Sequence, residues 1–292
     1  MVRNRFLPIP ARSSSSSSQT INQFMESTPD STAKDGTVRV LARGLRILKA
    51  FAPRNDWLSN SEIAGIALLP KPTVSRITAA LTSMGYLTYA YTTGCYRLAP
   101  PVLALGYMAR VNLGIPAIAR PLMQALANEQ NAVVVLAEHD GMAMVCDEVC
   151  HSERSIVSLR VHRGSRLTLP FSAAGRAYMG SLPRAKREAL CEEIARRFPK
   201  EWPKVRKGIK QAAVEIAERG FCVTMELLER GVNGVGVPID LPNAQGRYVL
   251  GCAAPAFHFP REHLDKVIGP AMLVIKHVIE SSFRPVRQLQ HT

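Results

Sequence analysis

The stretch from Leu58 to Leu98 constrains this chain more than any other. Ser59 and Glu62 stand three apart, the spacing of a capping box, in which the serine hydroxyl and the glutamate carboxylate satisfy each other's backbone N–H groups. A short helix over Asn60–Ile66 is therefore expected. The turn Ala67-Leu68-Leu69-Pro70-Lys71-Pro72 follows, and Pro72 suits the first turn of a further helix, where its missing N–H has no helical partner to lose. That helix is predicted over Thr73–Met84, with Val74, Ile77, Leu81 and Met84 facing inward and Gly85 closing it. Tyr86–Tyr91 then alternates as a strand, Thr92-Thr93-Gly94 turns, and Cys95–Leu98 returns. Upstream, Val38, Leu41, Leu45, Ile47, Leu48 and Phe51 make one apolar stripe of a helix over Val38–Phe51, ended by Pro53.

Helix, capped helix, turn, helix and hairpin is the order of a winged helix-turn-helix. The second helix of such a pair enters the DNA major groove by its N-terminal residues. Inward Val74 and Ile77 turn Lys71, Thr73, Ser75 and Arg76 outward, as donors for phosphate or base edges. Thr93 and Arg97 of the hairpin are placed for the flanking backbone. The charge agrees with this location. The whole chain carries net +14, and residues 37–115 hold nine Lys/Arg against two Asp/Glu. A polyanionic partner fits that density.

The remaining chain reads as mixed α/β. A linker helix is expected over Pro100–Leu113, with Val102, Leu105, Met108 and Val111 on one stripe and a break at Gly114 and Pro116. Helices are expected at Ile118–Asn128, Ser172–Leu182, Arg184–Arg196, Val205–Arg219 and His263–Ser282, the last with a kink at Pro270. Strands are expected at Ala132–Glu138, Met142–Val149, Ser155–Val161, Gly220–Thr224, Gly234–Ile239 and Tyr248–Ala254, with a turn at Asn243–Gly246. Helices around a largely antiparallel sheet form an α/β sensor layout. The boundaries drawn are a disordered, Ser-rich tail over 1–36, a DNA-binding domain over 37–99, a linker helix over 100–116, an effector-binding domain over 117–284 and a tail over 285–292. Met25 lies just before the structured part and is an alternative translation start. Peptides from residues 1–24 in the native protein would exclude that start.

The ordered motifs resemble the IclR family of bacterial transcriptional regulators. The residues that carry the resemblance are Val40-Leu41-Ala42-Arg43-Gly44-Leu45-Arg46-Ile47-Leu48, Ser61-Glu62-Ile63-Ala64, Leu69-Pro70-Lys71-Pro72-Thr73-Val74-Ser75-Arg76, Gly85-Tyr86-Leu87 and Tyr96-Arg97-Leu98. The similarity extends over about residues 38–283. Arg43-Gly44-Leu45 and Pro101–Tyr107 resemble the branch that controls aromatic-acid catabolism. The resemblance implies a homodimer or tetramer whose C-terminal domain is GAF-like and binds a small acid. Such proteins repress or activate neighbouring catabolic operons on double-stranded operator DNA, with RNA polymerase a further candidate partner.

Carried over by motif, the effector site falls on Ser172, Ala173 and Ala174 at a helix start, and on Thr224 and Gly234. A helix start favours an anionic group through its free N–H groups and dipole. The sequence departs from the family at two of these places, where an acidic residue usually stands at the Thr224 position and Cys or Ser at the Gly234 position. Thr keeps a hydroxyl without charge. Gly234 is expected to leave space, and so to admit a bulkier acid than a very small keto acid. Arg160 and Arg163 are near the loop in sequence and are candidates to pair with a carboxylate; the alternative for each is a solvated surface charge.

Other chemistry is poorly supported. Cys146, Cys150 and His151 have metal-ligand types but no second pair nearby in sequence. Neither a G-x-S-x-G elbow nor a phosphate-binding G-x-x-x-x-G-K-[ST] loop occurs. No cofactor, no catalytic residue and no membrane span are expected, and a reduced, cytoplasmic setting fits six dispersed cysteines. Two rivals remain at this level: an enzyme acting on a small acid with a winged-helix contact module, and a nonspecific nucleoid-associated DNA binder.

Overall fold

The capping box at Ser59 forms as its spacing requires. In the computed structural model, which describes residues 36–51, 57–111, 114–154, 159–241 and 247–283, Glu62 Oε2 accepts the Ser59 N–H at 2.8 Å and Ser59 Oγ accepts the Glu62 N–H at 3.3 Å. The Ser59 N–H and the Ser59 hydroxyl, which donates to the same Oε2 at 2.7 Å, hold the Glu62 carboxyl below the usual carboxylate range. The chain divides into two units, one running to Ala99 and the other beginning at Pro100. The tails, Pro53, Met25 and the turn Asn243–Gly246 lie outside the described residues.

In the first unit α1 (Gly36–Lys49), α2 (Asn60–Ala67) and α3 (Lys71–Ser83) pack with a three-stranded antiparallel sheet of β1 (Leu58–Ser59), β3 (Cys95–Leu98) and β2 (Leu87–Ala90), in that order. Ile47, Phe51, Leu58, Ile63, Val74 and Leu87 form its core. Strand β1 was not expected; its Leu58 faces inward opposite Tyr96. One inward assignment on α3 needs correction. Met84 is 66% exposed. Thr78 instead completes the inner face of α3, because its hydroxyl is satisfied inside, by Asn60 Oδ1 at 3.1 Å and the Val74 carbonyl at 3.0 Å. On α1 the stripe divides: Ile47 and Phe51 are buried, whereas Val38, Leu41 and Leu45 stay exposed.

The second unit opens with α4 (Pro100–Val111), whose Leu103, Leu105, Tyr107 and Met108 are all exposed. Helix α5 (Ile115–Gln130) follows. Then come β4 (Val133–Asp140), β5 (Ala143–His151), β6 (Arg166–Thr168), α6 (Ala173–Ser181), α7 (Arg184–Arg197), α8 (Trp202–Arg219), β7 (Cys222–Met225), β8 (Val232–Asp240) and β9 (Arg247–Pro255). A short helical turn, α9 (Arg261–His263), leads through a π-helical turn at Leu264–Ile268 into α10 (Gly269–Ser282). The expected break near Pro270 thus falls one turn earlier. Pro270 stands in the first turn of α10, where its missing N–H leaves a wider π turn before it.

All six strands pair antiparallel, in the order β6-β5-β4-β9-β8-β7. The strand expected at Ser155–Val161 is not confirmed. Its first four residues lie outside the described ones, 159–161 are not strand, and β6 pairs with β5 instead, after Gly164 turns the chain at φ +81°.

Alternation gives the sheet two unlike faces. Val134, Leu136, Val235, Val237, Leu250 and Cys252 pack on one side with α5 and α10. Gly234, Gly236 and Gly251 face the other side, against α6. A Cβ on Gly236 would lie 2.3 Å from the Ala173 carbonyl oxygen, and one on Gly251 would lie 2.9 Å from Val135. Helix α8 seats on α6 just as closely, since a Cβ on Gly180 would be 2.7 Å from Ile216. Overfilling such a contact typically costs about 1–3 kcal/mol. Gly236→Ala is therefore expected to lower the unfolding free energy of the C-terminal unit by that order, while Gly106→Ala on α4, where nothing lies within 4 Å, leaves it unchanged or slightly raised. Urea unfolding of the two variants checks the contrast.

Candidate DNA interface and effector site

Helix α3 sorts its residues by which side they serve. Val74 and Thr78 are buried, and Ile77 and Leu81 are half-buried. Lys71, Ser75 and Arg76 are exposed, and Thr73 is half-buried. Lys71 and Arg76 have no ion-pair partner among the described residues. The bond from Thr78 to Asn60 ties α3 to the start of α2 and fixes which edge of α3 is presented. Sequence reasoning missed this pair, since a threonine inside a helix gives no pattern signal. The intervening turn is tight: Leu68, at φ 51°, caps α2 in the left-handed region, and its N–H bonds to the Ala64 carbonyl. In the hairpin, Thr93 is exposed at the turn and Arg97 is exposed on β3. The residues expected on one DNA-facing side are thus all solvent-accessible to some degree.

In the second unit the structure brings five of the expected effector residues together. Ser172 is buried and N-caps α6, its Oγ accepting the Gly175 N–H at 3.0 Å. Thr224 and Gly234 stand opposite each other in the β7–β8 pair, and Thr224 Oγ1 donates to the Gly234 carbonyl at 3.3 Å. Ala173 lies over Gly234: a Cβ there would be 3.4 Å from the Ala173 Cβ. Ala174 is buried over Gly251 on β9. The expectation that Gly234 leaves ligand space is therefore overturned. A Cβ there would also lie 2.9 Å from the Cys252 carbonyl oxygen, so the place is bounded by protein atoms on both sides.

The arginines do not join this group. Arg160 is exposed in the segment before β6, on the β5 side of the sheet, with β4, β9 and β8 between β5 and β7. Arg163 donates to Glu148 Oε1 from Nε at 2.8 Å, and Arg120 of α5 donates to the same oxygen at 2.6 Å. Glu148 is buried, which raises its pKa, but the hydrogen bonds and charges of Arg163 and Arg120 prevail and hold it below the usual range.

Several residues around the site had not been singled out. Gly236 and Gly251 could have been found from alternation, being one step from inward Val235 and Cys252. Cys222 sits fully buried with Sγ 4.0 Å from the Ala173 carbonyl, and burial pushes its thiol up to about 12. Arg176 is buried one turn after Ser172, and its Nε donates to the Pro170 carbonyl at 2.7 Å. Glu215 on α8 anchors β7 by accepting the Val223 N–H at 3.0 Å and pairs with Arg219 and Arg261. Asn233 closes the β7–β8 connection, accepting from the Glu226 N–H and donating to the Phe259 carbonyl, both at 2.9 Å. Among the described residues no group of three or more His, Cys, Asp or Glu is arranged to hold a metal ion. No described helix is long and apolar enough to cross a membrane. The Cys146 thiol is pushed up to about 12 by burial and by Asp147.

A winged helix-turn-helix joined to an α/β domain with a curled antiparallel sheet defines a DNA-binding transcriptional regulator with an effector-binding domain. Residues 40–90 match the IclR helix-turn-helix domain, and residues 108–272 match the bacterial transcriptional regulator IclR C-terminal domain. The chain belongs to the IclR family of bacterial transcriptional regulators. It is 31% identical over 264 residues to the HTH-type transcriptional regulator TsaQ1/TsaQ2 of Comamonas testosteroni, covering 89% of this chain and 94% of that one. It is 23% identical over 239 residues to the Pca regulon regulatory protein of Pseudomonas putida, covering 80% of each. An IclR family regulator of Brucella abortus superposes with TM-score 0.76 at 38% identity, over 89% of this chain and 97% of that one. A homolog from Microbacterium hydrocarbonoxydans, complexed with 4-hydroxybenzoate, superposes at TM-score 0.64 with 19% identity, over 84% and 99%. These relatives are regulators and not enzymes, so the rival reading of a small-acid enzyme falls.

The Glu148 cluster carries a pH signature. A depressed carboxyl contributes stability above its unfolded pKa and loses it as pH falls through the folded value. Glu148→Gln is expected to lower stability at pH 7 by about 1.5–3 kcal/mol, the worth of hydrogen bonds to a charged group. The gap to the parent protein should begin to narrow as pH falls below the ordinary carboxylate range, about pH 4, and close only once pH has passed below the depressed value of the folded Glu148. Unfolding curves at pH 7 and at acid pH read it directly.

Proposed function

We propose that this chain is a ligand-responsive regulator of a catabolic operon that binds its operator as a homodimer or tetramer in the cytoplasm. One observation carries the DNA part: the α3 row of Lys71, Ser75 and Arg76 is exposed, and its two cations are without ion-pair partners among the described residues. Thr73, at the edge of that row, supplies a hydroxyl donor, while Thr93 and Arg97 meet the flanking backbone. The exposed apolar faces of α1 and α4 support self-association, because uncovered apolar patches mark contact sites. Contact with RNA polymerase would serve activation or its exclusion.

The effector is a small carboxylic acid, of aromatic type. The relative that regulates a Pca regulon and the fold neighbour complexed with 4-hydroxybenzoate support that choice. Ser172, Ala173, Ala174 and Thr224 form its polar end at the α6 start, with Gly234 the floor beneath Ala173. Arg160 enters only if its segment moves toward this site. Because Ala173 lies in contact over Gly234, an acid bound at the α6 start is accommodated by a shift of that helix relative to β8. That displacement is the coupling step: the two seatings of α6 bind the acid unequally, and only such a difference shifts an equilibrium.

Selection of duplex sites from the source genome at about 0.15 M salt, with and without 4-hydroxybenzoate and other aromatic and aliphatic acids, tests both halves. One enriched, near-palindromic site whose affinity one acid alters is expected. Diffuse recovery indifferent to every acid would establish the nonspecific binder instead. Arg76→Ala should weaken the specific site by about 1–3 kcal/mol if it reads a guanine, or lower the salt slope by about one unit if it meets phosphate. Fluorescence anisotropy across a salt series separates the two.

A further inference from the structure

The wing carries a cation that has no partner of opposite charge among the described residues. The Arg97 side chain is exposed and makes no hydrogen bond or ion pair among the described residues. It is nevertheless held. Its guanidinium carbon sits 5.0 Å from the ring centroid of Trp57. Trp57 precedes β1, and β1 pairs with β3 through Leu58 opposite Tyr96. Leu58 and Tyr96 both face the core, so Trp57 and Arg97, which come opposite each other one step further along the same antiparallel register, both face out. Trp57 is 42% exposed, although an indole of its size gains by burial.

Stacking uses the flat face of a guanidinium and leaves its N–H edge free. A phosphate is bound by that edge, often by two parallel hydrogen bonds. An unheld arginine must lose rotamer freedom when it binds; one stacked on a ring has lost much of it already. We propose that Trp57 is a DNA-positioning residue, whose ring holds the Arg97 guanidinium with its donor edge turned outward as a preformed clamp for a duplex backbone phosphate. The proposal rests on the reading that the wing meets duplex DNA. It does not depend on which operator or effector the protein uses, because a phosphate contact is independent of sequence.

The test is a double-mutant cycle in the full chain, binding a short duplex of scrambled sequence between about 0.05 and 0.3 M salt. Arg97→Ala should lower the slope of log affinity against log salt by about one unit. Trp57→Ala should weaken binding about 2- to 5-fold, the range of an exposed cation–π contact. That loss should disappear in the Arg97→Ala background, and Trp57→Phe should restore most of it. Equal losses from Trp57→Ala in both backgrounds, or no loss in either, would overturn the proposal. The sequence has two tryptophans, Trp57 and Trp202, so Trp202→Phe leaves Trp57 as the sole reporter should Trp57→Ala fail to fold. Saturating duplex should then change its emission, and a change that survives Arg97→Ala intact, or none at all, counts against the clamp. If the parent chain binds no duplex at the lowest salt, the DNA reading itself fails, and the proposal with it.

Discussion

Everything in the C-terminal unit depends on how closely α6 seats on the sheet. The Ala173 carbonyl occupies the place where a side chain on Gly236 would be, and the Leu169 carbonyl lies 1.9 Å from the place of a Gly175 Cβ. Interiors are packed to crystal density, so a helix at that distance is fixed in position along several strands at once. Ser172 can then cap it, and Cys222 and Thr224 on β7 come to lie beside its first turn. Helix α8 rests on α6 by the same device at Gly180, and Glu215 carries the restraint on to β7. The two opposite layers, α5 with α10 and α6 with α8, are unlike for this reason. One is aliphatic and filled by side chains, while the other is a contact of backbones.

The sequence made the DNA-binding unit legible because its signals are local. A serine and a glutamate three apart, a proline after a turn and a glycine before a strand each act within a few residues. What escaped notice there is nonlocal: Thr78 reaching Asn60 across 18 positions, and Leu58 pairing with Tyr96. Met84 was misassigned because an apolar residue at a helix end was given an inward direction, whereas Thr78 supplied the inner contact with its hydroxyl satisfied.

In the C-terminal unit the elements were mostly legible and the site was half so. Motif matching brought Ser172, Ala173, Ala174, Thr224 and Gly234 to one place, yet it misjudged what a glycine does. A missing side chain reads from sequence as room, and only the positions of the Cys252 carbonyl and Ala173 reveal how little room there is. Arg160 and Arg163 were near the loop in the chain and remote from β7 in the sheet, since strand order is set by pairing and not by sequence distance. Arg163 instead shares Glu148 with Arg120, a cluster no local pattern announces.

The interleaving along α3 separates two jobs that many helices combine. Val74 and Thr78 hold the helix to its unit, while Ser75 and Arg76 between them are exposed. Exchanges at exposed positions typically leave stability within about 0.5 kcal/mol. If α3 reads the operator as proposed, operator preference is therefore free to drift without passing through unfolded intermediates. A duplicated copy of the gene would need changes at few positions to address a different stretch of the chromosome.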